Sequence, residues 1–222
     1  ASRGDAAHRI VGARAALAGR GGSAEVVALD LASLASVRAF AEDWRAARGA
    51  PPAVLVNNAG LMRLPFTSTD RRLTADGFEE MAGVNHLGHF LLTTLLLEGR
   101  DGASPPCRVV SVASVAHAQG EVDLFDFNLV APGRYTAGRA YAQSKLANIL
   151  FTAELQKRYG DVGVEAVCCH PGIVRSELFA RDVRLASALA PLALPFTKSP
   201  AQGAATQTYL ALAPARELEL GG

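Results

Sequence analysis

The sequence has no basic block, no bilayer-length apolar run and no cysteine pattern, and these three absences set the first bounds on a chain of 222 residues. Lys and Arg (22) nearly balance Asp and Glu (21), lie scattered along the chain and leave a formal charge of +1. That excludes the electrostatic footprint of a nucleic-acid binder. Because half of the residues are apolar, general disorder is excluded as well. The longest apolar runs are FLLTTLLL (90–97), too short to cross a membrane, and LASALAPLALPF (185–196), which prolines interrupt. No stretch reads as a signal peptide. Cys107, Cys168 and Cys169 are odd in number, lack metal-ligand spacing and fit buried thiols of a reducing compartment. There is no internal repeat and no linker. There is also no Gly-x-Ser-x-Gly elbow, so Ser114 with His117 does not make a hydrolase. The first residue is Ala1 rather than Met, which reads as a processed or cropped chain.

What is present is an alternation of short apolar runs with longer helical patterns, which predicts a parallel sheet covered on both faces. Strands are expected at 8–13, 24–31, 53–59, 107–114 and 164–170. Helices are expected near 33–48, 75–98 and 138–159. A last helix begins at SPAQGAATQTYLAL (199–212), where Ser199 suits the N-cap, Pro200 the first turn and Gln202 a capping box. Loops fall at 48–52, 100–106 and 119–135. The expectation is a single doubly wound α/β domain spanning residues 1–222. In such sheets ligands bind beyond the carboxyl ends of the strands. Asp30-Leu31, NNAG (57–60), SVAS (111–114) and HPG (170–172) all fall there. Each alone has an ordinary reading as a turn or a satisfied strand-end hydroxyl. Their shared edge favours a binding site.

The run AYAQSKLANILF (140–151) places Tyr141 and Lys145 four apart, on one face of a helix. A fixed positive charge beside a phenol favours the phenolate, so the pair is expected to depress the tyrosine pKa. A half-buried aromatic with a snorkelling lysine remains the alternative.

Asp30, NNAG (57–60), VNHLGHF (84–90), VVSVAS (109–114), YAQSK (141–145) and HPGIVRSEL (170–178) match in order and spacing across nearly the whole chain. In this set the chain resembles the short-chain dehydrogenase/reductase family. It is most similar to the retinol dehydrogenase-like subgroup, and within it to the dehydrogenase/reductase member-thirteen type. The resemblance implies a Rossmann-like fold and roles for individual residues. Tyr141 would be the general acid in carbonyl reduction and, as phenolate, the base in alcohol oxidation. Lys145 would bond the nicotinamide ribose and lower the tyrosine pKa. Ser114 would orient the substrate oxygen; Ser111, where the family usually has Asn, is the weaker candidate. Asn85 would hold a water in a relay to Lys145. The family pattern also accounts for His86 and His89 without a metal.

On the cofactor side the resemblance implies contacts from Asp30 to adenine and from Asn57, Ala59 and Gly60 along the adenosine and ribose. Pro171 and Gly172 would turn the chain beside the nicotinamide. Ile173 and Val174 would offer backbone groups there, and Ser176 a hydroxyl. Arg14 stands where the subgroup has a basic residue, with no acid for a ribose 2′-hydroxyl, so NADP is preferred and NAD is the alternative. The expected partner is a small carbonyl or alcohol, lipid-like because LFARDVRLASALAPLALPF (178–196) occupies the variable substrate-loop position. A core-covering helix there is the competing reading. A homodimer through the helices at 75–98 and 138–159 is the family's habit. Membrane association is expected only through an N-terminal segment this chain lacks. The location is left as cytoplasmic or membrane-associated, facing a reducing compartment.

Two departures qualify the resemblance. The glycine-rich phosphate turn should precede ASRGDAAHRIVGAR, while GRGG (19–22) follows the wrong strand to replace it. About thirty residues of strand, loop and helix, including the central strand of a 3-2-1-4-5-6 sheet, are therefore expected upstream. LELGG also stops where a final strand would begin. One expectation is a portion of an NADP-dependent oxidoreductase. The other is a non-catalytic truncated isoform or fragment acting as a binding module.

Overall fold

The computed structural model describes residues 22–174 and 197–218. Helix α1 (Leu34–Arg48) starts where Ser33 accepts a hydrogen bond from the Ser36 amide and ends at Gly49, whose φ of 63° no β-carbon would favour. Its buried residues Val37 and Ala41 face Leu92 and Leu96. Strand β1 is Val54–Asn57. The next helical stretch has three continuous parts: α2 (Glu80–Ala82), a π-helical turn (Gly83–Leu87) and α3 (Gly88–Leu97). Strand β2 (Cys107–Val112) leads into a 3₁₀ turn at Val115–Gln119. The long helix α4 (Ala137–Tyr159) is capped by Thr136, followed by strand β3 (Val164–Cys169) and helix α5 (Pro200–Leu212).

The three strands form a parallel sheet in the order β1-β2-β3. Register pairs Asn57 with Ser111 and Ser111 with Cys168, so the polar strand ends finish at one edge. Continuous apolar runs explain why β2 and β3 fold this way, since both faces are covered. Leu97, Cys107, Val109, Leu155, Val164 and Ala166 make one core between the sheet and the helices α3 and α4. A second core gathers Met62, Met81, Leu129, Tyr135 and Tyr141 beneath the 119–135 loop. The N-cap of α5 forms the expected capping box, with the Ser199 and Gln202 side chains each accepting from the other's backbone.

The strand expected at 24–31 is not one: the described residues 22–30 carry no strand, and Val26 and Val27 are half exposed. A strand is a pairing, and in the expected sheet order its neighbour was the 8–13 segment, which lies outside the described residues. The helix expected from residue 75 begins at Glu80 instead, because Thr74 and Gly77 close a turn first (Gly77 N–H to Thr74 O, 3.0 Å). Among the described residues, no helix is long and apolar enough to cross a membrane.

Candidate active site

The site is assembled on the inward stripe of α4. Tyr141, Lys145, Asn148, Thr152 and Leu155 follow one another at helical spacing and are all buried. The stripe lies against the carboxyl ends of β2 and β3. Lys145, 5% exposed, donates from Nζ to the Val112 carbonyl at 3.0 Å. The Tyr141 hydroxyl lies beside that of Ser114, which follows β2 and caps the next 3₁₀ turn by accepting from the Ala116 amide (3.3 Å). The Phe66 ring stacks on Tyr141 with centroids 6.5 Å apart.

Asn85 enters from the π-helical turn. The wider turn admits an i+5 bond (Gly88 N–H to Gly83 O) and re-aims the side chains around it. Fully buried, Asn85 accepts from the Leu61 amide at 2.8 Å and donates to the Leu61 carbonyl at 2.9 Å. It also donates to Ser144 Oγ at 3.0 Å, and Ser144 donates in turn to the Tyr141 carbonyl at 2.8 Å. Its own backbone carbonyl accepts from His89 Nδ1 at 3.0 Å. The asparagine thus ties the π turn, the segment after NNAG and the helix of Tyr141 together.

Gly60 is where that segment comes closest. A β-carbon there would stand 3.2 Å from Asn85 Oδ1 and 3.5 Å from Lys145 Nζ, so glycine keeps the space in front of both groups open. Asn57 is buried and donates to Thr93 Oγ1 at 2.9 Å, whereas Ala59 and Gly60 are exposed at the rim. Pro171, Gly172 and Val174 follow β3 on the same side, with Gly172 at a φ of 86°. Val174 bridges to Lys198, and Ile173 already uses its carbonyl to accept from the Lys198 amide (2.8 Å). Asp30 is exposed and folds its carboxylate onto the Ala32 amide at 2.9 Å, a turn ahead of α1. Arg14, Ser176 and the 178–196 stretch lie outside the described residues.

Electrostatics correct one expectation. The Tyr141 pKa is raised, not lowered: burial of the phenol outweighs the Ser114 hydrogen bond that favours phenolate. Lys145 bears the reciprocal cost. Burial disfavours its ammonium and brings the pKa down to about 8, and its Nζ sits 5.7 Å from the Tyr141 ring centre rather than on the phenol oxygen. His89 is brought down to about 4, chiefly by burial, with the Lys145 charge acting in the same direction.

Sequence reasoning missed Ser144, Asn148 and Phe66. Ser144 and Asn148 lie three residues on from Tyr141 and Lys145, but as polar residues they read as surface in the sequence; Phe66 left no signal either. A groove of about 600 Å³ between α4, β3 and α5, lined by Thr152, Cys168, Tyr209 and Leu210, meets the α4 stripe only at Thr152 and is lined by none of Ser114, Tyr141, Lys145 and Asn85. Among the described residues no three His, Cys, Asp or Glu side chains gather as a metal would require.

The residues present fit a dinucleotide. Glycine leaves the approach to Lys145 bare, the ammonium has one acceptor among the described residues for three N–H bonds, and a phenol and a hydroxyl stand beside it. Comparison with known proteins points the same way. The model of the short chain dehydrogenases matches residues 4–127. Retinol dehydrogenase 12 of Homo sapiens is 50% identical over 185 residues, covering 83% of this chain and 55% of that protein. Retinol dehydrogenase 13 of Homo sapiens is 43% identical over 196 residues, with 83% and 55% covered. The chain thus spans about half the length of these curated relatives. A protein of Mycobacterium paratuberculosis, described as putative and uncharacterized, superposes with a TM-score of 0.61 at 40% identity, covering 86% of this chain and 59% of its own. A blue fluorescent protein from a metagenomic library, solved in complex with NADPH, has a TM-score of 0.66 at 24% identity over 94% of this chain and 77% of its own, a likeness of fold alone.

Proposed function

The chain belongs to the short-chain dehydrogenase family, and from that premise we propose that it carries the catalytic part of an NADP-dependent oxidoreductase acting on a lipid-like carbonyl or alcohol of retinoid or steroid type. The observation that carries this reading is the meeting of Ser114, Tyr141, Lys145 and Asn85 at one edge of a parallel sheet, with the Ser114 hydroxyl beside the Tyr141 phenol. The relatives named retinol dehydrogenase support the substrate class.

When bound, the nicotinamide supplies or accepts the hydride. The chain's own residues do the rest. Tyr141, an ordinary neutral phenol at pH 7 whose raised pKa holds the proton more firmly, has a proton to give to a carbonyl oxygen. Ser114 beside it offers a second donor to the same oxygen as negative charge develops on it. Lys145, still mainly protonated at pH 7 with a pKa of about 8, presents N–H bonds to ribose hydroxyls and favours the phenolate left after transfer. Asn85 holds the backbone at Leu61 and the helix at Ser144, which fixes the space in front of Lys145. Gly60, Asn57, Ala59, Pro171, Gly172 and Val174 would line the cofactor's path, with Asp30 at the adenine end. Arg14 and Ser176, which lie outside the described residues, would complete the set, with Arg14 as the cation for a 2′-phosphate.

The test is a fluorescence titration of the chain with NADPH and NADH, followed by carbonyl reduction. NADPH should bind more tightly than NADH. Tyr141→Phe should keep that binding and lower turnover by about 10²–10⁴-fold, the range for a lost general acid. A folded chain that binds neither nucleotide would instead support the non-catalytic reading.

A further inference from the structure

One carbonyl in the site serves two donors. Val112 O accepts from Lys145 Nζ at 3.0 Å and from Asn148 Nδ2 at 3.4 Å. Asn148 is 4% exposed and one turn beyond Lys145 on the buried stripe of α4. Its amide is not free to turn, because Oδ1 accepts from His86 Nδ1 at 3.1 Å. His86 is itself wedged among the rings of Phe90, Phe127 and Phe151 at centroid distances of 6.0–6.2 Å. Burial keeps that imidazole neutral by lowering its pKa, so it serves as a fixed donor.

We propose that Asn148, oriented by His86, is a positioning residue: it competes with Lys145 for the Val112 carbonyl and takes that acceptor over when the ammonium turns toward a bound nucleotide. The argument is one of hydrogen-bond satisfaction. A buried carbonyl left without a donor loses its solvation unrepaid, so an ammonium that was its sole partner would be pinned to it. A second donor already aimed at the oxygen removes that penalty and loosens the lysine. The amide hydrogens also face the ammonium across the shared oxygen, which disfavours its charge. The titratable groups around Lys145 are Tyr141 on its own helix and His89 on the facing helix, which feels the lysine charge; among the described residues no carboxylate pairs with it.

The nucleotide part rests on the function proposed above, so the decisive measurement needs no nucleotide. Lysine-selective labelling of the whole chain lets Lys145 be titrated by NMR, with Lys145→Met identifying its resonance. Asn148→Leu removes the competing donor at similar volume and should raise the Lys145 midpoint. His86→Phe should raise it too, and should add nothing in the Asn148→Leu background. NADPH should then bind Asn148→Leu about tenfold more weakly, since the Val112 carbonyl is orphaned when the lysine turns away from it. An unmoved midpoint in an Asn148→Leu chain that melts like wild type would overturn the proposal, as would independent, additive effects of the two substitutions. If Asn148→Leu fails to fold, Asn148→Ala and His86→Phe decide the same point. A wild-type chain that ignores NADPH would count against the proposed function alone, while the lysine titration still decides this inference.

Discussion

Two buried polar atoms on neighbouring strands have no hydrogen-bond partner among the described residues. Asn57 Oδ1 and Ser111 Oγ are both unbonded, although their residues are only 4% and 2% exposed and sit opposite each other in the β1–β2 register. Asn57 donates from its amide nitrogen to Thr93 Oγ1, while its oxygen takes no bond from the Ser111 hydroxyl. A buried hydroxyl without a hydrogen bond costs more than the methyl that would replace it. Ser111→Ala should therefore stabilise the chain by about 1 kcal/mol, read as a higher urea midpoint at unchanged slope. A lower midpoint would show that the hydroxyl has a partner of its own. The same residue is the site's weaker serine. Ser111→Ala should accordingly leave turnover unaltered, in contrast to Ser114→Ala, which removes the hydroxyl that favours the Tyr141 phenolate.

At the scale of elements, Arg108 shows how one side chain docks a helix onto the sheet. It pairs with Glu165, its register partner on β3, through Nε at 2.8 Å and Nη2 at 2.5 Å. Its Nη1 donates to the Leu210 and Ala213 carbonyls at the end of α5, at 2.9 and 2.5 Å. The arginine thus satisfies a half-buried carboxylate and the open carbonyls of a helix terminus together. Arg108→Leu should lower stability by about 3 kcal/mol, because the acceptors are left behind. Arg108→Lys should recover only part of it, since an ammonium lacks the planar fork. No change on denaturant unfolding would mean α5 is held by packing alone. None of this could be read from CRVVSV and VEAVCC, although those runs did reveal β2 and β3 because both faces of each strand are covered. AEVVALDL reads the same way and is not a strand, since pattern reports what could pair and not what does. The site divides along the same line. Helical spacing made the Tyr141–Lys145 pair legible, the strand ends put Ser114 and the glycine-rich turns at one edge, and Asn85 came from the family resemblance alone. The direction of the Tyr141 shift was not legible, because burial decided it. Polar Ser144 and Asn148 read as surface in a single helix, and only the packed molecule shows them inside.

For the molecule as a whole, acid should be the destabilising direction, and His89 is the reason. It is 5% exposed, its Nδ1 donates to the Asn85 carbonyl, and burial lowers its pKa from 6.5 to about 4. Between those values the unfolded chain holds a proton that the folded chain refuses. Stability therefore falls as pH drops from about 6.5 to about 4 and levels off below. The full loss is about 3 kcal/mol, a large part of a typical folding free energy. His86, lowered in the same sense, adds to the trend, while buried Glu79, whose pKa is raised, opposes it above pH 4.5 because its proton is favoured in the folded state. The difference between wild type and His89→Gln cancels both neighbours and isolates His89. Urea unfolding at a series of pH values should show the wild type losing stability relative to His89→Gln as pH falls through this window, with parallel curves above pH 7. Parallel curves throughout would mean the imidazole keeps its ordinary pKa, and with it enough solvent to undo the picture of a dry π-helical turn behind Asn85.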